Sequence, residues 1–118
     1  MKKYLIIFLS VLIVSCESHK CDTLNDEFNS YKGAISSVIK TTFNYTDELD
    51  TSKSSWIREA NYYSCDNAKG YLIIETDSQN YIYKEVPKAV WEEFKQANSF
   101  GRYYNSYIKG NYKLSLKN

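Results

Sequence analysis

The hydrophobic positions along this chain change period several times. Leu5 to Val14 is an apolar run interrupted only by Ser10 and preceded by Lys2 and Lys3. About ten apolar residues are too few to cross a bilayer core of roughly 30 Å as a helix, but they match the hydrophobic region of a signal segment. Beyond it, apolar residues fall at Leu24, Phe28, Tyr31, Ile35 and Val38, in steps of 4, 3, 4 and 3. That spacing predicts an amphipathic helix over 23–39, with Asp22 or Thr23 as N-cap and Gly33 as a weak point inside it. The β-branched stretch "SVIKTTF" reads equally well as extended chain. Residues 44–55, "NYTDELDTSKSS", are polar and acidic and read as a linker.

From there the period shortens. "SWIREANYY" (55–63), "GYLIIETD" (70–77) and "YIYKEV" (81–86) alternate as strands, separated by the turn-forming stretches "SCDNAKG" and "DSQN". Leu72 and Ile74 share one face; Tyr81 and Tyr83 share a face with Ile82 opposite. Connections this short predict an antiparallel meander of three strands. Pro87 then opens a helix with Val90, Trp91, Phe94 and Ala97 on its apolar side. Ser99 is the expected N-cap of a last helix over about 100–109, and Gly110 its end. At about 100° per residue, Phe100, Tyr104, Tyr107 and Ile108 gather on its buried side. Arg102 and Lys109 point the other way, and Tyr103 lies between. The expected fold class is therefore α+β: a three-stranded meander with two helices packed on one sheet face, preceded by a signal segment and a short helical or linker region.

Composition agrees with one small folded domain plus an appendage. The chain has 118 residues, 43% apolar and 25% charged, which excludes wholesale disorder. The signal run ends in Ile13-Val14-Ser15-Cys16, which resembles a bacterial lipobox. The resemblance implies removal of residues 1–15, acyl chains on Cys16 and attachment to a membrane through that lipid. The expected division is a lipoprotein signal peptide over 1–15, a tether over 16–53 and a domain over 54–118. The expected location is the bacterial cell envelope, periplasmic or surface-exposed.

Without residues 1–15, 13 basic residues face 14 acidic ones. Residues 16–53 carry a net −3 and residues 54–118 a net +2, and from Lys95 onward five basic residues meet no acid. The C-terminal end is thus mildly basic. Cys21 and Cys65 remain after lipidation of Cys16. Outside the cytoplasm they either pair in a disulfide or stay as two thiols, and their spacing alone does not decide.

The ordered motifs resemble the KTSC domain, a short module found alone and at the C-terminus of some lysyl-tRNA synthetases. The residues that carry the likeness are Ser55 and Ile57, Tyr62, the pair Tyr81 and Tyr83, then Val86 and Pro87. The closing run is Ser99, Gly101, Tyr103, Tyr104, Asn105, Ile108 and Tyr112. It covers about residues 54–113. The loop between Tyr62 and Leu72 is slightly long, and Thr76 stands where an aromatic residue is usual. The synthetase association implies RNA binding as one activity. A location outside the cytoplasm argues against it.

Catalytic chemistry is hard to assemble from this chain. His19 is the single histidine and lies in the tether, so neither a Ser/His nor a Cys/His nucleophile pair is available inside the domain. Glu92 and Glu93 are adjacent and diverge on a helix. Asp47, Glu48 and Asp50 lack the glycine and terminal glutamate of a calcium loop. The four glycines are scattered and form no phosphate cradle. No catalytic residue, metal site or cofactor is expected.

The candidate binding residues are Tyr81, Tyr83, Arg102, Tyr103, Asn105, Lys109 and Lys113. The tyrosines either present a stacking surface or pack under a helix. The expected function is a non-enzymatic binding or interaction module in the envelope, recognising a protein or envelope polymer through the sheet's open face or the basic strip. One alternative is an immunity or phage-exclusion lipoprotein that binds a foreign protein. Another is a nucleic-acid (RNA) binding module.

Overall fold

A computed structural model of the chain describes residues 20–117. The expected signal segment, the lipidation site Cys16 and His19 lie outside the described residues. The fold is α+β. Four strands, β1 (Tyr45–Leu49), β2 (Ile57–Ser64), β3 (Lys69–Thr76) and β4 (Asn80–Pro87), form one antiparallel sheet in the order β1-β2-β3-β4. The helices are α1 (Tyr31–Lys40), α2 (Lys88–Gln96) and α3 (Phe100–Tyr103), the last continuing into a π turn over Tyr104–Ile108. Among the described residues, no helix is long and apolar enough to cross a membrane.

The meander has four strands rather than the three expected. The fourth is β1, which lies in the 44–55 stretch read as linker. Its signal is hidden because an aspartate, Asp47, takes an inward position opposite Tyr62. Asp47 is accommodated because its Oδ2 accepts hydrogen bonds from Trp91 Nε1 (2.8 Å) and Lys95 Nζ (2.6 Å) of α2. Leu49, two residues on, enters the core as alternation requires.

The predicted helix over 23–39 is also corrected: α1 begins at Tyr31. Ser30 caps it, its Oγ accepting from the Gly33 N–H at 2.9 Å. Upstream, the Asn25 side chain accepts from the Glu27 N–H, a local bond that competes with helix. Leu24 and Phe28 therefore pack from extended chain, and their helical spacing is coincidental.

The sheet is covered on both faces. On one, Tyr62, Leu72, Ile74 and Tyr83 meet Trp91 and Phe94 of α2, then Phe100, Tyr104 and Ile108. On the other, Tyr71, Ile73 and Ile82 meet Phe28, Leu114 and the Ala34 and Val38 side of α1. The open sheet face expected as a recognition surface is therefore filled. The β4 edge is occupied as well: Lys84 N–H donates to Tyr112 O (3.0 Å), and Tyr83 bridges Lys113. The second helix and the cap of the third stand where expected, with Ser99 Oγ accepting from the Arg102 N–H.

A disulfide joins Cys21 to Cys65, 44 residues apart with Cα atoms 5.7 Å from one another. It fastens the start of the described chain to the turn between β2 and β3. Beside it, Cys21 N–H donates to Thr42 O at 3.0 Å.

Two tests follow from these fastenings. Replacing both cysteines (C21S with C65S) should lower stability by about 2–4 kcal/mol in chemical denaturation. Reductant should lower the wild type to the level of the double variant and leave that variant unmoved; equal stability of the two proteins without reductant would count against the bridge. The second test concerns Asp47. Burial pushes its carboxyl up, but the hydrogen bonds from Lys95 and Trp91 outweigh this and hold it below the ordinary carboxylate value. A depressed pKa contributes stability above the unfolded value, about 3.9, and loses it as pH falls through the folded one. Because the side chain is 40% exposed, solvent screens the pair, and D47N should cost only about 1 kcal/mol at neutral pH. The difference from wild type should begin to narrow in urea titrations below about pH 4 and close only once pH has fallen past the lowered folded value. A gap of unchanged size at that pH would show that the charge is not what matters.

Candidate functional site

Strand alternation puts Tyr81 and Tyr83 of β4 on the face that α3 covers, while Ile82 enters the opposite core. Tyr83 is 7% exposed and Tyr104 3%, and their hydroxyls hydrogen-bond each other. Burial pushes the phenol pKa of both upward, and the bond to Tyr104 raises that of Tyr83 further. Tyr104 is the centre of the aromatic group. Trp56 meets it edge-on at 5.6 Å between centroids, Tyr83 at 5.8 Å, and Tyr81 lies tilted at 6.5 Å.

The wide turn after α3 places Tyr104. Lys109 N–H donates to Tyr104 O at 2.9 Å, a bond five residues back rather than four. Such π turns are rare and often mark functional positions. Here the turn keeps Tyr104 and Ile108 inward and leaves Asn105 and Lys109 exposed. It also corrects the helical phase: Tyr107, expected on the buried side, is 58% exposed. A helix reckoned at about 100° per residue has the wrong register once one turn is widened.

Between this turn, the β3–β4 connection and the chain leading to Leu114 lies a cleft of about 490 Å³. Tyr81, Tyr83, Asn105, Lys109 and Lys113, five of the seven candidate residues, line it. Tyr104 and Trp56 complete its aromatic floor, and Gln79 and Asn80 contribute polar rim. Among the described residues, no carboxylate lines it. Lys109 and Lys113 are exposed and, among the described residues, make no ion pair. A volume of this size is in the range of small-molecule sites.

Arg102 and Tyr103 do not join that cleft. Arg102 lines a neighbouring cavity. Tyr103 turns toward α2, donating its hydroxyl to Glu93 Oε2 at 2.8 Å and stacking on Phe94. Burial, then the bond to Glu93, push its phenol pKa up. Of the acidic trio considered for calcium, Asp47 is committed to Trp91 and Lys95. Among the described residues, no three potential metal ligands come together.

Sequence reasoning passed over Trp56 and Tyr31, which also wall the cleft. Trp56 carried a readable signal, a tryptophan just before a strand, where it stays only partly buried. Tyr31 had none, because its place beside β4 depends on how α1 crosses the far face of the sheet.

The KTSC domain profile matches residues 53–112, just over half of the chain. Among solved structures, the chain is similar to a KTSC domain protein from Yersinia pestis. The two are 28% identical, with 58% of this chain and 93% of that one covered and a TM-score of 0.49. No curated protein matches the chain. The profile spans β2 to the turn after Ile108 and includes Trp56, Tyr81, Tyr83, Tyr104, Asn105 and Lys109, so three of the four strands and the floor of the cleft are parts of one recognised module, while β1 precedes it. The chain belongs to the KTSC domain family.

Proposed function

We propose that this is a lipid-anchored protein of the bacterial cell envelope whose KTSC domain is a non-enzymatic binding module. The observation that carries the reading is the convergence of Tyr81, Tyr83, Asn105, Lys109 and Lys113 on one cleft with an aromatic floor and, among the described residues, no carboxylate. The partly buried rings of Tyr81 and Trp56 supply contact area at low entropic cost, and two ammonium groups with no ion-pair partner among the described residues favour an anionic ligand. Nothing in this arrangement resembles a nucleophile with its base, so binding rather than turnover is the chemistry it supports.

The location rests on the lysine pair, the apolar run and Cys16, and the Cys21–Cys65 disulfide supports it, since such bonds persist in oxidising compartments. The anchor also has a geometric consequence. Five residues lead from Cys16 to Cys21, at most about 18 Å of chain. The disulfide holds Cys21 at the β2–β3 turn, while the cleft lies by the β3–β4 connection, at the other end of β3. Eight strand residues separate the two ends by about 25 Å. The lipid therefore pins the disulfide end near the membrane and holds the cleft away from it, open to large partners.

The anchor is tested by mass spectrometry of the mature protein, which should begin at Cys16 and carry acyl chains there. A mature N-terminus without acyl groups would remove the lipid from the reading. The cleft is tested by photo-crosslinking on intact cells with a probe placed at Asn80. The pair K109E and K113E should reduce the captured species by about tenfold or more, with no change in melting temperature, because both side chains are exposed and unpaired. Undiminished capture by a folded double variant would mean that the cleft is not the recognition surface.

A further inference from the structure

Two cavities of about 490 Å³ each lie side by side, sharing Trp56 and Asn105 as common wall. The first is the cleft at Tyr81. The second is roofed by Arg102 and Lys53 and lined by small polar groups, among them Ser54, Ser55 and Ser106. Among the described residues, neither has a carboxylate in its wall. Of the five basic residues from Lys95 onward, Lys95 and Lys117 are ion-paired. The three that make no ion pair among the described residues, Arg102, Lys109 and Lys113, are those that border the cavities. Lys53 is held in place by Ala97 O at 3.2 Å and by the Phe100 ring, with its charge unneutralised.

We propose that the two cavities are adjoining subsites of one groove for a linear acidic glycan, a sugar or polyol chain bearing carboxylate or phosphate groups at regular intervals. The proposal rests on the cleft being a ligand site and adds its partner chemistry and its extent. Hydroxyl and amide side chains in the second cavity match a polyhydroxyl chain. The half-buried Trp56 offers a ring at the junction, and cations at both ends match charges that recur along a polymer. A single-stranded nucleic acid fits less well. Base stacking needs open ring faces, and Tyr83 and Tyr104 present almost none, since they cover each other. The junction itself is tightly built: a Cβ on Gly101 would lie 2.6 Å from Trp56 Nε1, so only glycine lets the indole sit there.

The test is titration calorimetry of the full-length protein in detergent, at fixed salt. The probes are oligogalacturonates of increasing length, glycerol-phosphate oligomers of matching length, an uncharged oligosaccharide, an octanucleotide RNA and an acidic peptide. One of the two anionic series, which tells carboxylate from phosphate as the source, should gain about tenfold or more in affinity with length and then level off once both subsites are filled. The uncharged oligomer should bind at least about tenfold more weakly. R102E should abolish the gain with length while short oligomers bind as before; K109E with K113E should weaken all lengths. Binding of short oligomers with no gain in length and no effect of R102E would overturn the second subsite and leave the cleft standing. Preference for RNA or the acidic peptide, lost in K109E/K113E, would overturn the ligand class alone. No binding of any anionic glycan overturns the proposal, while the crosslinking outcome separately judges the cleft.

Discussion

One indole organises the domain. Trp91 of α2 is fully buried, stacked on Tyr62 of β2 with ring centroids 5.3 Å apart and planes within 8°. Its Nε1–H donates to Asp47 of β1, and the Tyr62 hydroxyl donates to Val86 O at the end of β4. One helix is thereby tied to both the first and the last strand. A buried indole N–H needs a partner, and the partner it has is the residue that draws an acidic stretch into the sheet. Pro87 and Trp91 fix where α2 begins and how it rolls. The short connection at Ala97–Asn98 then fixes α3, and α3 delivers Tyr104 to Tyr83. The cleft is the far consequence of this chain of contacts.

The second core makes the unit larger than its family module. Tyr71, Ile73 and Ile82 would be bare if the chain began at residue 54 and stopped at 113. Phe28, Ala34 and Val38 cover them from before the module, and Leu114 from after it. Lys117 N–H donates to Phe28 O at 2.8 Å, closing the two flanks on each other. A domain of some sixty residues buries only about 60% of its unfolded surface, so an added layer and a disulfide are substantial reinforcements. The N-terminal stretch is less a tether than the second cover of the sheet.

The sequence carried the central fold well. Alternation over β2, β3 and β4, the proline before α2 and the serine cap at Ser99 are local signals, and local chemistry decides those elements. The misses have long-range causes. β1 was invisible because Asp47 is inward only by virtue of Trp91 and Lys95, more than forty residues away. The start of α1 was blurred by Leu24 and Phe28, whose burial comes from β3 and the C-terminal chain. Tyr107 went astray because a π turn shifts helical phase, and no residue type announces such a turn. For the site, the aromatic and basic composition of 101–113 pointed to the right neighbourhood. Helical phase set Tyr104 on the buried side and Tyr103 between the faces, but it could not show that Tyr103 turns to Glu93 and leaves the cleft to Tyr104.

Tyrosine suits this architecture because it is apolar along the ring and polar at the tip. Tyr62, Tyr71, Tyr83, Tyr103 and Tyr104 all reach a hydrogen-bond partner at the margin of a core, so the aromatic mass is buried without orphaned hydroxyls. Desolvation by burial raises the pKa of each; that of Tyr62 is pushed up to about 12. They therefore stay neutral at any physiological pH. The floor of the cleft adds no negative charge to oppose Lys109 and Lys113. Lys109 and Lys113 are the charged side chains in its wall, and with no histidine among the described residues the site has no imidazole to change charge between about pH 5 and 8. The wall of the cleft thus combines phenol rings with two lysine side chains, and no carboxylate of the described residues stands among them.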